Sequence, residues 1–206
     1  MSYSDFKLDT VRKAFGLTII SSPLFEKAET VPVTDWLKEA IDKGLPLALM
    51  SEKARSELIV VPILLTSREL SRNVFSIYSG QRLDIDPDKG LTGECDFILA
   101  KTPPIPVIQA PLMMLAEAEK NDIEGGLGQC AAQMIGARLF NQQEGSGIST
   151  IYGCVTTGEA WQFLKLADNT LSIDSRRYYI DRIDKILGVL QAIVACDASE
   201  NDAPEI

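Results

Sequence analysis

The chain has 206 residues, 46% of them hydrophobic, enough for one well-buried domain and too few for two comfortable ones. It contains no histidine, which excludes Ser-His-Asp and Cys-His nucleophiles, His-ligated zinc hydrolases and His-dependent nucleases. A net charge of −9 suits a polyanion poorly, so DNA would be held through a local basic patch, modestly and with strong salt dependence.

No apolar stretch reaches about 18 residues, the length a membrane span needs. The start, Met1-Ser2-Tyr3-Ser4-Asp5, lacks the charged-then-apolar pattern of a signal peptide. A cytoplasmic protein without membrane contact is expected. Cys95, Cys130, Cys154 and Cys196 are far apart and form no C-x-x-C pair, which argues for buried thiols in a reducing compartment rather than a zinc site.

In chain order, residues 5–15 and 34–43 read as short amphipathic helices separated by the loop Ser21-Ser22-Pro23. Thr34 caps the second, and Gly44-Leu45-Pro46 should stop it. A longer helix is predicted over 51–68, opened by Ser51-Glu52-Lys53-Ala54, with Leu58, Val61, Leu64 and Leu65 as its apolar stripe. Strands follow over 74–79, 83–85, 93–99 and 108–119, with Asp86-Pro87-Asp88-Lys89-Gly90 as a turn cluster.

The spacing then predicts a helix over 123–141, on which Gln129 and Gln133 share a face four apart. Strands are expected over 149–156, 161–166 and 170–173, and a last helix over 178–194. Residues 1–196 would form one domain, with its core at about 51–166, and the acidic tail 197–206 would be disordered. The fold class expected is α/β, a mixed central sheet flanked by helices.

The apolar run Leu112 to Leu115 leads into Glu117-Ala118-Glu119-Lys120. Side chains two apart on a strand share a face, so Glu117 and Glu119 should project together from an otherwise apolar element. A hairpin through the Pro-rich loop from Thr102 to Pro106 would bring Asp96 beside Glu117. Partly buried carboxylates repel and cost several kcal/mol each unless a cation compensates them. Such a convergence describes a hard-metal site better than a structural salt bridge. The bland reading pairs one acid with Arg138 and leaves the other solvated.

Two other signals have competing readings. Gly126-Leu127-Gly128-Gln129-Cys130-Ala131 matches the G-x-G-x-x-A dinucleotide fingerprint. Acids lie between the preceding strand and these glycines, however, where a pyrophosphate seeks a positive helix start, so close helix–sheet packing is the better explanation. Arg176-Arg177 with Arg182 and Lys185 is the candidate phosphate patch, with a solvated helix face as its alternative. Trp36 and Trp161 read as core.

The order helix, three strands, helix, strand, with acids on the middle strands, resembles the PD-(D/E)XK nuclease superfamily. The stretch 91–166 is also similar to nuclease-like bacterial proteins related to type I restriction subunit N-terminal domains. The resemblance implies a restriction-endonuclease-like core in which Asp96, Glu117 and the carbonyl of Ala118 hold Mg²⁺ or Mn²⁺. It further implies Glu57 on the preceding helix and Gln129 on the following one as assisting groups. A metal-dependent nuclease acting on DNA is the expected function, with room for a homodimer. The alternative is a degenerate member serving as a binding or regulatory module. One departure bears on the choice. The pattern expects Glu-x-Lys, whereas Glu119 stands there and Lys120 comes one place later, on the opposite strand face. Either local unwinding returns Lys120, or Glu119 itself serves, or the site is degenerate.

Overall fold

The computed structural model describes residues 1–48, 50–119 and 122–199, with side chains through residue 196. The first elements are α1 (Leu8–Phe15), β1 (Thr18–Ser22), α2 (Asp35–Ala48), α3 (Glu52–Arg55) and α4 (Val61–Leu70). Next come β2 (Ser76–Arg82), β3 (Glu94–Ala100), β4 (Leu112–Ala118) and α5 (Ile123–Gln143). The rest are β5 (Ile151–Thr156), β6 (Ala160–Ala167), β7 (Thr170–Asp174), β8 (Tyr178–Tyr179) and α6 (Ile183–Ser199).

All eight strands belong to one mixed sheet in the order β1-β7-β6-β5-β4-β3-β2, with β8 paired to β6. β2, β3 and β4 form an antiparallel meander, as do β5, β6 and β7. The two meanders meet where β4 and β5 run parallel, a junction that requires a crossover connection, supplied by α5. β1 closes the far edge, parallel to β7. Apolar residues from both faces of the sheet build two cores. One, with Ile98 and Leu115, lies under α5 and holds Tyr3, Phe6 and Val11 from the N-terminal segment. The other, with Phe97 and Phe163, is covered by α2, α4 and α6. The architecture is thus α/β with a central sheet flanked by helices.

Several boundaries differ from the sequence expectation for identifiable reasons. α2 runs through Gly44 and Pro46 to Ala48. Gly44 packs so closely on the next helical stretch that a Cβ there would lie 2.6 Å from the Leu58 carbonyl oxygen, and that tertiary contact outweighs the low helix propensity. The helix expected over 51–68 is α3 and α4 joined by a π-helical turn, Ser56–Val60, in which the Val61 N–H reaches the Ser56 carbonyl. Pro62 supplies the cause: it has no N–H for the Leu58 carbonyl, and its ring would crowd that carbonyl in a regular α-helix. Ser51 caps this stretch, accepting the Ala54 N–H at 3.1 Å, and Thr34 caps α2, accepting the Leu37 N–H at 3.2 Å.

Residues 83–85 form no strand of their own, although the Leu83 and Ile85 N–H groups bond to the Gly93 and Leu91 carbonyls. β4 starts only after Pro111, and residues 18–22, whose end falls in the expected loop Ser21-Ser22-Pro23, form β1. The helix expected from Tyr178 begins instead with β8, because Tyr178 pairs with Trp161 and packs its ring edge-on against Phe163, 5.5 Å between centroids. α6 then extends into the tail expected to be disordered, as far as Ser199; the remainder of that tail lies outside the described residues. Trp161 is fully buried, but Trp36 is 52% exposed, so only one tryptophan serves the core. Cys95, Cys130 and Cys154 are buried and Cys196 is exposed. Among the described residues no helix is long and apolar enough to cross a membrane.

Candidate functional site

The antiparallel register of β3 and β4 pairs Phe97 with Ala116 and Ile98 with Leu115, which sets Asp96 opposite Glu117. Beyond that point the two side chains take over from the main-chain ladder. The Asp96 N–H donates to Glu117 Oε1 at 3.3 Å, and the Ala118 N–H donates to Asp96 Oδ2 at 2.8 Å. Each carboxylate therefore accepts a main-chain N–H from the other strand.

Because β4 and β5 are parallel, α5 must cross the face into which Glu117 projects. Asp122 caps this helix by accepting the Gly125 N–H at 3.0 Å, and the Gln129 amide then donates to Glu117 Oε2. One turn on, Gln133 is fully buried and neither of its amide atoms has a hydrogen-bond partner among the described residues. It lies near enough to Glu117 to favour the ionised carboxylate, yet its amide makes no well-aligned bond. The i, i+4 spacing placed both amides on one face, but Gln133 was not among the expected site residues. Only the observed helix-to-strand placement marks it out.

Burial, and after it the Asp96 charge, push the Glu117 carboxyl up to about 8. Burial also raises Asp96; the Ala118 N–H opposes that rise, while Glu52 and Glu94 add to it. Glu119 is raised by burial first and then by Glu52, Asp96 and Asp122. Its N–H pairs with the Thr156 carbonyl at 2.7 Å, and its carboxylate sits against Gly126, where a Cβ would lie 2.7 Å from Oε1. Glu119 thus faces α5, on the same side as Glu117. Among the described residues no Lys or Arg forms an ion pair with Asp96, Glu117 or Glu119; Lys120 lies outside the described residues.

Asp96 also lines an open cleft of about 440 Å³ with Glu52, Glu57, Ser56 and Glu94. The π-helical turn delivers Ser56 and Glu57 to its rim. Glu57 is exposed and makes only a long ion pair, 3.9 Å, with Lys53. Glu52, on the same rim, is the helix acid whose charge raises both Asp96 and Glu119. α3 is fixed over the cleft by Arg55, which is buried and donates to the Thr157 carbonyl at 2.7 Å. Arg138 bonds to the Asp168 carbonyl and pairs with neither glutamate. The G-x-G-x-x-A segment lies within α5, which starts before its first glycine. Gly126 abuts Glu119 and Gly128 abuts the Phe6–Lys7 backbone, so these glycines serve close packing.

The donors gathered here are oxygens, which suit a hard divalent ion. As the side chains stand, no group of three or more His, Cys, Asp or Glu residues among those described is arranged to hold one. Glu119 tests which condition governs the site. Glu119→Lys is expected to raise apo thermal stability by relieving repulsion and to shrink the increase in Tm on adding Mg²⁺ or Mn²⁺. Thermal melts with and without metal check this; lower apo stability with an unchanged metal response would make Glu119 a structural partner instead. Compared with protein-family models and with curated proteins, the sequence finds no match in either.

Proposed function

We propose that the chain is a metal-dependent phosphodiesterase acting on DNA, with a restriction-endonuclease-like core centred on Asp96 and Glu117. The observation that carries this reading is the reciprocal placement of those two carboxylates across β3 and β4, without an ion pair from any described cation. The surrounding order supports it: helix, antiparallel meander, crossover helix, and a strand parallel to the one bearing Glu117.

The donor chemistry fits a hard divalent ion. Asp96, Glu117 and the carbonyl of Ala118 would hold Mg²⁺ or Mn²⁺, and a bound cation would offset both the burial of Glu117 and the Asp96 charge that raise its carboxyl. Such an ion, when bound, lowers the pKa of water and stabilises charge on a phosphoryl oxygen. Gln129 holds the Glu117 carboxylate in one orientation through its amide. Glu119, raised by burial and then by Glu52, Asp96 and Asp122, faces α5 beside Glu117 and would orient a water or serve as a further oxygen ligand. Glu52 and Glu57 border the cleft through which a phosphodiester would reach Asp96. Lys120 would offset charge on the phosphorane if its ammonium reaches the centre.

The test is incubation of purified protein with single- and double-stranded DNA in Mg²⁺ or Mn²⁺. Cleavage is expected, and Asp96→Ala should reduce it by roughly 100-fold or more, the scale of losing an electrostatic stabiliser. Cleavage that survives Asp96→Ala would place the chemistry elsewhere. The second reading, a degenerate member acting as a binding or regulatory module, is favoured by the existing bonds: Asp96 Oδ2 and both Glu117 oxygens already accept hydrogen bonds. Absence of cleavage with either metal would select it.

A further inference from the structure

A second concavity, of about 270 Å³, opens between the segment after β1, β8 and the first turn of α6. Arg176, Arg177, Arg182 and Lys185 line it against two acids, Glu26 and Asp181. The lining itself carries two more cations than acids on a chain that is strongly negative as a whole, with Glu124 and Asp184 pairing to Arg177 and Arg182 from outside it. A local reversal of sign focuses the field that draws in an anion. These residues do not form a solvated helix face: two precede β8, one sits in a 3-10 turn and only Lys185 is on α6.

The concavity is built rather than incidental. The Val31 N–H donates to the Asp184 carbonyl at 3.0 Å, which docks one wall onto α6. On the other side the Arg176 N–H donates to Asp174 Oδ1 at 3.0 Å, and the Tyr178 hydroxyl donates to Asp174 Oδ2 at 3.1 Å. The guanidinium groups now rest on carboxylates, Arg176 on Glu26 and Arg182 on Asp184. Exposed pairs of this kind are weak in water, so exchanging a carboxylate for a phosphate costs little, and the guanidinium fork matches phosphate geometry. Beside them Tyr179 is 53% exposed, a face on which an unpaired base can stack. Arg177 reaches from the cavity to Glu124 in the first turn of α5, the helix whose cap, Asp122, acts on Glu119. The cationic cavity and the acidic centre thus flank one helix start.

We propose that this cavity is a phosphodiester subsite that holds the backbone of a single-stranded nucleic acid, with Tyr179 stacking on a base. The proposal rests on the nuclease reading for its substrate. Its test is fluorescence anisotropy of a labelled single-stranded oligodeoxynucleotide binding to the full chain in EDTA across a salt series. The double variant Arg182→Gln/Lys185→Gln, whose parent side chains are both exposed, should bind about 10-fold or more weaker, with a log–log salt slope shallower by about 1.4. Tyr179→Ala should weaken binding without changing the slope, and Asp96→Ala should bind at least as well as the parent.

Equal affinity of the parent and the double variant would overturn the subsite. So would preferential binding of the duplex form, since stacking needs an unpaired base. Binding of inorganic pyrophosphate that depends on Arg182 and Lys185, with no oligonucleotide binding, would overturn the nucleic-acid assignment in favour of a small phosphate ligand. Oligonucleotide binding that follows the expected pattern without cleavage in Mg²⁺ or Mn²⁺ would uphold the subsite and remove the nuclease reading alone.

Discussion

Glu117→Gln should make the apo-protein more stable at pH 8 and flatten its stability between about pH 5 and 8. In the folded chain this carboxyl is raised from 4.5 to about 8, chiefly by burial. Within that window the folded state holds a proton that the unfolded state has released, so stability falls as pH rises. The stability is fully present below the unfolded pKa and lost as pH climbs through the folded one. Glu117 is only 3% exposed, so solvent screens the effect little, and the shift corresponds to a cost on the order of 5 kcal/mol at alkaline pH. A glutamine keeps the shape and an acceptor for the Asp96 N–H but carries no charge. Some slope should remain, since Asp96 and Glu119 are raised too. Urea unfolding in EDTA at pH 5, 6, 7 and 8 measures the difference between parent and variant. Because a metal ligand must be deprotonated, Mn²⁺ should stabilise the parent more at pH 8 than at pH 6, and the variant little at either. Parallel pH profiles for the two proteins would show that Glu117 ionises freely in the fold.

Asn141→Ala should destabilise the chain by about 3–5 kcal/mol. This side chain is fully buried at the far end of α5 from Gln129. Its Oδ1 accepts the Leu112 N–H at 2.7 Å, and its Nδ2 donates to the Leu112 carbonyl at 2.8 Å and to the Ile148 carbonyl at 3.3 Å. It bonds the first residue of β4 as a neighbouring strand would. Alanine strands all three main-chain groups and opens a small cavity. For a chain of this size the melting temperature should drop by roughly 10 °C. Differential scanning calorimetry gives the drop, and hydrogen exchange at the Leu112 amide localises it. A loss of 2 °C or less would mean that water replaces the amide there.

The features readable from the sequence were those with short-range causes. Asp96 and Glu117 could be set side by side because one hairpin joins their strands, whereas the resemblance singles out Gln129, on a helix whose periodicity the sequence carries. Asn141 and Gln133 carried no such mark, since an amide at a helical position looks the same whether it meets solvent or a buried strand. Residues 18–22 escaped because their only strand partner is 170–174, and an edge strand without alternation resembles a loop. Pro46 and Pro62 are strong local punctuation, yet packing against Leu58 and a widened turn absorbed them. Glu57 is favoured over Glu52 on the resemblance alone, because the π-helical turn that sets one helical segment against the other is not legible in the sequence.

The docking of the N-terminal segment has a consequence for how the chain is made. Tyr3 bonds to the Thr92 carbonyl, the Phe6–Lys7 backbone lies against Gly128, and β1 pairs with β7. The segment 1–22 therefore finds its last partners only after position 174 has been synthesised. At about 5–20 residues per second the stretch between β1 and the end of β7 takes roughly 8–30 s, during which Phe6, Val11 and Leu17 lack part of their core. That exposure ends when β7 and α5 capture the segment.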